Sequence, residues 1–208
     1  MAERSRPSQG PSRGPARHRG AAHRVRIIGG QWRRTPLPVA NLPGLRPTPD
    51  RVRETVFNWL AHLKPDLSQV VGLDLFAGTG ALGVELASRG AKRVVLVERQ
   101  AALLVALKEL RERLGASCIE IHGGDAVALA QRLPPGGFDV IFLDPPYDAG
   151  LLEPTLAIAA RLLAPAGIVY AEAPVALAEA QLAPHGFAVV REGRAGKVRY
   201  YLLRCNPS

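Results

Sequence analysis

From residue 70 onward, short apolar runs alternate with longer stretches in which apolar residues recur at helical spacing. This alternation predicts a parallel sheet that is covered by helices on both faces. The last two apolar runs are joined only by residues 193–196, which is too short for a crossover helix, so this pair must be antiparallel. The predicted strands cover residues 70–76, 93–98, 118–122, 139–144, 167–172, 187–193 and 198–205, and the predicted helices cover residues 81–89, 100–113, 125–132, 151–163 and 175–182.

The pattern before residue 70 is different. Residues 23–28 and 31–37 are short β-type runs separated by two glycines, which predicts a β-hairpin. After a proline-rich connector, Asp50 is placed to cap a helix over residues 51–63. We therefore expect an α/β protein with a mostly parallel, seven-stranded sheet that ends in an antiparallel hairpin, and with a small N-terminal β-hairpin extension. This arrangement is typical of the Rossmann-like fold of class I methyltransferases, which are enzymes that use S-adenosylmethionine as the methyl donor.

Positive charge is concentrated at the start of the chain. Residues 1–34 contain nine arginines and one glutamate, which gives 9 − 1 = +8 of the total formal charge of +9. A basic arm on a nearly neutral body predicts a polyanionic partner such as RNA, and a solubilising tail is the alternative. Residues 1–20 are mostly Pro, Gly, Ser and Arg, so we expect a disordered tail. The predicted organisation is this tail, a hairpin and connector over residues 21–49, and a methyltransferase domain over residues 50–208.

Several classes of protein do not fit this sequence. Cys118 and Cys205 form no Cys-x-x-Cys motif and the five histidines do not cluster, so we expect a reduced, cytoplasmic protein without a metal site. The chain has neither the apolar run of a signal peptide nor the roughly 20 apolar residues of a membrane span. We expect a monomer that does not bind membranes.

A glycine-rich loop follows the first strand of the predicted sheet. Gly78, Gly80 and Gly83 form a G-x-G-x-x-G pattern that lets a ligand approach the backbone, and Glu98 follows at the end of the second strand. An NAD-dependent oxidoreductase is therefore one hypothesis. Asp74 favours S-adenosylmethionine instead, because its carboxylate would repel a pyrophosphate but can accept a hydrogen bond from the amino group of a methionine moiety. Glu98 suits the ribose of either cofactor.

Asp125 follows the third predicted strand, where it is placed to accept a hydrogen bond from the adenine amino group. The alternative is that Asp125 caps the following helix, and both roles can hold together. The predicted cofactor-binding residues of the three loops are Asp74, Phe76, Ala77, Gly78, Thr79, Gly80, Glu98, Arg99, Asp125 and Ala126.

The fourth predicted strand runs into the sequence Asp144, Pro145, Pro146 and Tyr147. Two consecutive prolines remove two N–H donors, so the loop is a rigid surface of acceptors. Asp144 and the carbonyl of Pro145 can hold an exocyclic amine of a base in line with a methyl donor, and Tyr147 can stack on that base. An ordinary turn is the alternative. The loop therefore predicts methyl transfer to an amine, and these four residues are the predicted catalytic residues.

Three segments before the predicted sheet have distinctive sequences: residues 26–32 (RIIGGQW), 43–48 (PGLRPT) and 50–60 (DRVRETVFNWL). On the basis of these segments, residues 24–205 resemble the bacterial 16S rRNA (guanine-N2)-methyltransferases of the RsmD family. The resemblance implies transfer of a methyl group to the exocyclic N2 of a guanine in 16S rRNA or the assembling small ribosomal subunit. It also implies that Thr48 and Arg51 flank the methionine end of the cofactor. The alternative of an adenine-N6 methyltransferase acting on DNA or RNA stays open, because the sequence Asp-Pro-Pro-Tyr occurs in guanine-N2 and in adenine-N6 enzymes.

The hairpin and connector mix cations with one aromatic residue, a combination that suits loop or single-stranded RNA. Trp32 is equally able to pack beneath the hairpin. The predicted RNA-binding residues are Arg24, Arg26, Trp32, Arg33, Arg34 and Arg46.

Overall fold

The computed structural model describes residues 25–37 and 48–205. The predicted disordered tail, most of the connector, and the predicted RNA contacts Arg24 and Arg46 lie outside these ranges. Within the described ranges, the helices are α1 (Asp50–Leu63), α2 (Gly83–Ser88), α3 (Ala101–Leu114), α4 (Ala126–Arg132), α5 (Leu152–Leu162) and α6 (Glu179–Leu182). The strands are β1 (Val71–Asp74), β2 (Arg93–Glu98), β3 (Ile119–Gly123), β4 (Phe138–Leu143), β5 (Leu163–Ala173), β6 (Phe187–Ala195) and β7 (Val198–Cys205).

The seven strands form one sheet in the order β3-β2-β1-β4-β5-β7-β6. Strands β1 to β5 are parallel, whereas β7 is antiparallel to both of its neighbours. The predicted mostly parallel sheet with a terminal antiparallel hairpin is therefore confirmed. Because the parallel strands all end at the same edge, the loops after β1, β2, β3 and β4 meet there.

Apolar side chains cover both faces of the sheet. One face packs against α1, α2, α3 and the N-terminal segment, and the other packs against α4, α5 and α6. Phe57 of α1 illustrates the first face: it is 1% exposed, and its ring centroid lies 6.1 Å from that of Phe142 in β4. Full burial of such a side chain contributes roughly 1.5–3 kcal/mol. The segment before residue 64 is thus part of the protein core.

The N-terminal hairpin is shorter than predicted. Arg26 and Pro36 form an antiparallel bridge, which confirms the pairing, but residues 31–34 form a turn, so the strand predicted to begin at residue 31 is wrong. The cause is contact with α2. A Cβ on Gly30 would lie 1.8 Å from the carbonyl oxygen of Ser88, and this close approach diverts the chain from an extended course.

Asp50 does not cap α1, so that prediction is wrong. Pro49 precedes the helix, and Asp50 is its first residue. The Asp50 carboxylate instead accepts a 2.7 Å hydrogen bond from Arg53 and lies 3.4 Å from Arg26. An ion pair with the hairpin therefore replaces the capping hydrogen bond.

Two predicted elements in the second half have different bounds. Strand β5 begins at Leu163, where it pairs with Phe138 ahead of an irregularity in the register. The helix predicted over residues 175–182 is wrong over its first half, because α6 covers only Glu179–Leu182. The backbone N–H of Leu177 donates to the hydroxyl of Tyr201 at 3.2 Å, which holds this stretch against the sheet.

Candidate active site

A cavity of about 570 Å³ opens where the loops after β1 to β4 meet. The glycine-rich loop, the loop after β3 and the loop after β4 all line it, together with the first residues before α1. The predicted catalytic and cofactor-binding residues that line the cavity are Thr48, Asp74, Phe76, Ala77, Gly78, Thr79, Glu98, Arg99, Asp125, Ala126, Asp144, Pro145, Pro146 and Tyr147.

Arg51 and Gly80, which were also predicted to bind the cofactor, do not line this cavity. Arg51 lies on the exposed side of the first turn of α1. Gly80 has a positive φ of 81°, and a Cβ there would lie 2.8 Å from the side chains of Leu107 and Val84. Gly80 therefore shapes the loop from behind, where a side chain would meet the helices.

Glu98 organises the glycine-rich loop. Its Oε2 accepts a hydrogen bond from the backbone N–H of Gly78 at 2.8 Å, and its Oε1 accepts from the N–H groups of Arg99 and Gln100, both at 2.8 Å. Gly78 has a positive φ of 53°, which the loop needs to turn towards Glu98. A carboxylate has about four lone-pair sites, and three are used here, so Oε2 of Glu98 can still accept about one hydrogen bond from a ligand.

Asp74 lies at the end of β1 and is 2% exposed. Its Oδ2 accepts a hydrogen bond from the backbone N–H of Gly83 at 3.0 Å. Burial raises the pKa of Asp74 to about 7, against the opposing effect of hydrogen bonds from the N–H groups of Gly83 and Phe76. A buried carboxyl of this kind is well suited to bind a cationic group, which would stabilise its charged form.

Asp125 caps α4, because its side chain accepts a hydrogen bond from the backbone N–H of Ala128 at 2.9 Å. The capping alternative is therefore confirmed. Asp125 also lines the cavity, so its predicted contact with an adenine amino group is compatible with capping and stays a prediction.

The loop after β4 places Asp144 in the cavity beside Asp74. The pKa of Asp144 is raised well above its usual value by burial, and further by the charges of Glu172 and Asp74. Tyr147 begins a short 3₁₀ turn and is 40% exposed, and its hydroxyl donates to Oε2 of Glu172 at 3.3 Å. The loop thus presents the half-buried Asp144 and one partly exposed aromatic ring to the same cavity.

Glu172, near the end of β5, was not among the predicted site residues. It lines the cavity, and its Oε1 accepts hydrogen bonds from the hydroxyls of Thr48 at 3.0 Å and Tyr170 at 2.6 Å. The available signal was a single acidic residue inside an otherwise apolar strand, residues 168–173. Such a residue is rarely buried without a partner.

The cavity is strongly acidic. Among its described lining residues, five carboxylic acids face one cation, Arg99. This arrangement favours a ligand with positive charge and disfavours a pyrophosphate, because unscreened charges inside a cleft interact strongly. The electrostatics therefore favour the sulfonium and ammonium groups of S-adenosylmethionine over NAD. The five acids are Asp74, Glu98, Asp125, Asp144 and Glu172.

The described members of the predicted RNA-binding set lie away from this cavity. The backbone N–H of Trp32 donates to the hydroxyl of Ser88 at 3.0 Å, at the end of α2. Because β2 begins shortly after Ser88, this contact lies at the amino edge of the sheet, opposite the catalytic loop. Arg33 and Arg34 are exposed in the same turn, whereas Trp32 is half-buried against the core beneath the hairpin.

Within residues 25–37 and 48–205, no cluster of three or more His, Cys, Asp or Glu side chains is arranged to hold a metal ion. No helix in these ranges is long and apolar enough to cross a membrane.

Curated relatives of this chain have methyltransferase names. Ribosomal RNA small subunit methyltransferase D of Escherichia coli K12 is 41% identical over 183 residues, which cover 86% of this chain and 89% of that protein. The protein of the same name from Haemophilus influenzae is 37% identical over 185 residues, covering 86% and 93% of the two chains.

Solved structures agree with these relatives. The E. coli protein yhhF, described as a candidate methyltransferase, has a TM-score of 0.75 and 37% identity, and the match covers 89% of this chain and 99% of that one. A precorrin-6y methyltransferase from Geobacter metallireducens has a TM-score of 0.63 at 16% identity, which supports the class I methyltransferase fold alone. Residues 25–204 match the family described as Conserved hypothetical protein 95. The chain therefore belongs to that family, the RsmD family that its N-terminal motifs predicted.

Proposed function

We propose that this protein transfers a methyl group from S-adenosylmethionine to the exocyclic N2 of a guanine in small-subunit ribosomal RNA. The observation that carries the proposal is the meeting of two loops in one cavity, the glycine-rich loop after β1 and residues 144–147 after β4. That the substrate is RNA and that the target base is guanine are inferred from the family, whose members include proteins named ribosomal RNA small subunit methyltransferases.

The residues present fit S-adenosylmethionine. Glu98 would hold the ribose, Asp74 the amino group of the methionine moiety, and Asp125 the adenine amino group. Thr48, which lines the same cavity, would flank the methionine end. The acidic cavity complements the net positive charge of this cofactor. When bound, S-adenosylmethionine supplies a methyl group on a sulfonium that is already an activated leaving group.

The catalytic loop would position the amine and receive its proton. The Asp144 carboxylate and the Pro145 carbonyl accept the two N–H bonds of the amine and direct its nitrogen towards the methyl donor. Burial beside Glu172 and Asp74 raises the pKa of Asp144, which makes it a better proton acceptor than an exposed aspartate. It can therefore take the proton that the amine loses once it is methylated. Tyr147 would stack on the base.

The proposed function also implies a cellular compartment, a form of the substrate and an oligomeric state. We place it in the cytoplasm, since ribosomal RNA is there and both cysteines are free in the structure. The substrate would be 16S rRNA or an assembling small subunit, with a monomeric enzyme acting on it.

The proposal is tested with labelled S-adenosylmethionine and small ribosomal subunits, or their RNA, from a strain that lacks this protein. We expect label in N2-methylguanosine, measured by mass spectrometry of the digested nucleosides. The Asp144→Ala variant should lose at least about 100-fold in turnover, as when a preorganised polar group is removed from an active site. Its affinity for S-adenosylmethionine, measured by calorimetry, should change little. Label in N6-methyladenosine, or unchanged turnover of the variant, would contradict the proposal.

A further inference from the structure

Asp144 and Glu172 each lie one residue beyond the last paired position of two adjacent parallel strands. Leu143, the last residue of β4, pairs with Ala171 of β5, so Asp144 just after β4 lies next to Glu172 of β5. Side chains at paired positions point to the same face of a sheet, and adjacent strands lie about 4.8 Å apart. Both residues line the cavity. The two carboxyl groups can therefore face adjacent hydrogen-bond donors on one edge of a base.

Three hydrogen bonds hold the carboxyl group of Glu172 in place. Its exposed fraction is 5%, and three hydroxyl groups donate to it, from Thr48, Tyr170 and Tyr147. Burial raises the pKa of Glu172, and these three hydrogen bonds, which favour the ionised form, oppose that rise only in part. Two of the donors bind Oε1, and the longer bond from Tyr147, at 3.3 Å, is to Oε2. Oε2 therefore has lone-pair capacity for a ligand in the cavity.

We propose that Glu172 accepts a hydrogen bond from N1–H of the target guanine and thereby selects guanine over adenine. This inference rests on the proposed function and extends it to the recognition of the base. Guanine presents N1–H and the N2 amine side by side, so Asp144 can accept from the amine while Glu172 accepts from N1–H. Adenine presents a lone pair at N1, which a carboxylate would repel.

This arrangement would account for the choice between guanine and adenine, which the Asp-Pro-Pro-Tyr loop alone does not determine. The loop binds an exocyclic amine and can accept adenine N6 as well as guanine N2. A buried carboxylate beside the loop adds a repulsive element against adenine as well as an attractive one for guanine. Sites built to hydrogen-bond a substrate group reject analogues that lack it much more strongly than sites that only exclude by size.

The test compares target RNAs that carry guanine or 2-aminopurine at the methylated position. Both bases have the 2-amine, but 2-aminopurine has a lone pair at N1 and no N1–H. We expect the wild-type kcat/KM to favour guanine by at least about 100-fold. In Glu172→Gln, the amide N–H₂ can donate to a lone pair at N1, so the preference should fall below about 10-fold. The ratio of the two preferences cancels any difference in intrinsic reactivity of the bases.

Tyr170→Phe is the matched control. It removes one hydroxyl donor to Glu172 but keeps the carboxylate, so the preference for guanine should persist even if turnover falls. An unchanged preference for guanine in Glu172→Gln would overturn the inference. A loss of that preference in Tyr170→Phe as large as the loss in Glu172→Gln would overturn it as well.

A second measurement does not depend on how the variants fold. Wild-type protein saturated with S-adenosylhomocysteine should bind the guanine RNA at least about 10-fold more tightly than the 2-aminopurine RNA. Equal affinities would overturn the role of Glu172. Wild-type protein that methylates no guanine in either RNA would instead contradict the proposed function.

Discussion

Among single residues, Asp74 in its proposed role would link cofactor binding to pH. Burial raises its pKa from 3.8 to about 7, so the empty site holds a proton on this carboxyl below neutrality. A bound ammonium group stabilises the ionised form, so binding releases that proton. Affinity for S-adenosylmethionine should therefore rise as pH increases from about 5.5 to 7.5, by at most about tenfold per pH unit below the pKa. Calorimetry in buffers with different ionisation enthalpies would measure both the affinity and the released proton.

Asp74→Asn is the control for this prediction. Asparagine has the same shape and can still accept a hydrogen bond from Gly83, but it does not titrate. The variant should bind more weakly, without the rise in affinity over this pH range and without proton release. A rise that persists in Asp74→Asn would assign the titration to another group, such as Asp144.

Single residues also show how far the sequence predicts the site. Asp74 and Asp144 were predicted because each lies at the carboxyl end of an apolar strand and begins a recognisable loop motif, and the ends of parallel strands meet at one edge. Glu172 also lies near the end of a strand, β5, but no motif follows it in the sequence. Arg51 was assigned from resemblance, but it is exposed on α1 and does not line the cavity. Its distance from the cavity depends on how α1 packs, which the sequence does not reveal.

At the scale of the element, the N-terminal hairpin is fixed to α2 by a buried glutamate. Glu85 is fully buried, and its carboxylate accepts hydrogen bonds from the backbone N–H groups of Ile28 at 2.7 Å and Gly29 at 2.8 Å. Arg89 donates to Glu85 at 2.8 Å, and the buried guanidinium of Arg53 lies 3.5 Å away. Because this cluster joins the hairpin, α1 and α2, it holds the residues before α1 in place beside the cavity.

Glu85→Ala should destabilise the protein by about 3–5 kcal/mol, because it leaves a buried arginine without one of its partners and two N–H groups without an acceptor. Urea unfolding measures this loss. Glu85→Gln keeps one acceptor oxygen and should cost less. Hydrogen exchange should become faster at Ile28 and Gly29 in the alanine variant. A loss below about 1 kcal/mol in Glu85→Ala would show that the hairpin is held by its apolar contacts alone.

The elements differ in how well the sequence predicts them. Strands β2 and β7 have the predicted bounds, because an apolar run inside a sheet is marked by its own composition. The turn at residues 31–34 and the short α6 depend on distant partners, Ser88 for the former and Tyr201 for the stretch before the latter. The Glu85 cluster joins residues more than 50 positions apart. A charged residue on a helix gives no local sign of such a contact.

In the molecule as a whole, the acidic cavity and the arginines of the N-terminal turn lie at opposite edges of the sheet. The acidic cavity lies at the carboxyl edge of the sheet, whereas Arg33 and Arg34 lie in a turn at the amino edge. The proposed RNA would therefore contact the protein at two places, with the target base in the cavity and the backbone at arginines some distance away. Base choice would then depend on the cavity, and affinity would depend on the arginines.

Removal of residues 1–20 tests whether the basic N-terminal segment contributes to affinity for RNA without contributing to turnover. The segment contains five arginines and one glutamate, a formal charge of 5 − 1 = +4. Each phosphate that it neutralises contributes about 0.7 to the slope of log affinity against log salt for single-stranded RNA, so the slope should fall by up to about 3. Affinity for RNA should drop at low salt and converge with that of the full chain at high salt, while kcat at saturating RNA should not change. Changing the five arginines to glutamine, which keeps the length of the segment, should reproduce the deletion. If this variant instead behaves like the full chain, the segment does not contribute through its charge, and the solubilising alternative is favoured.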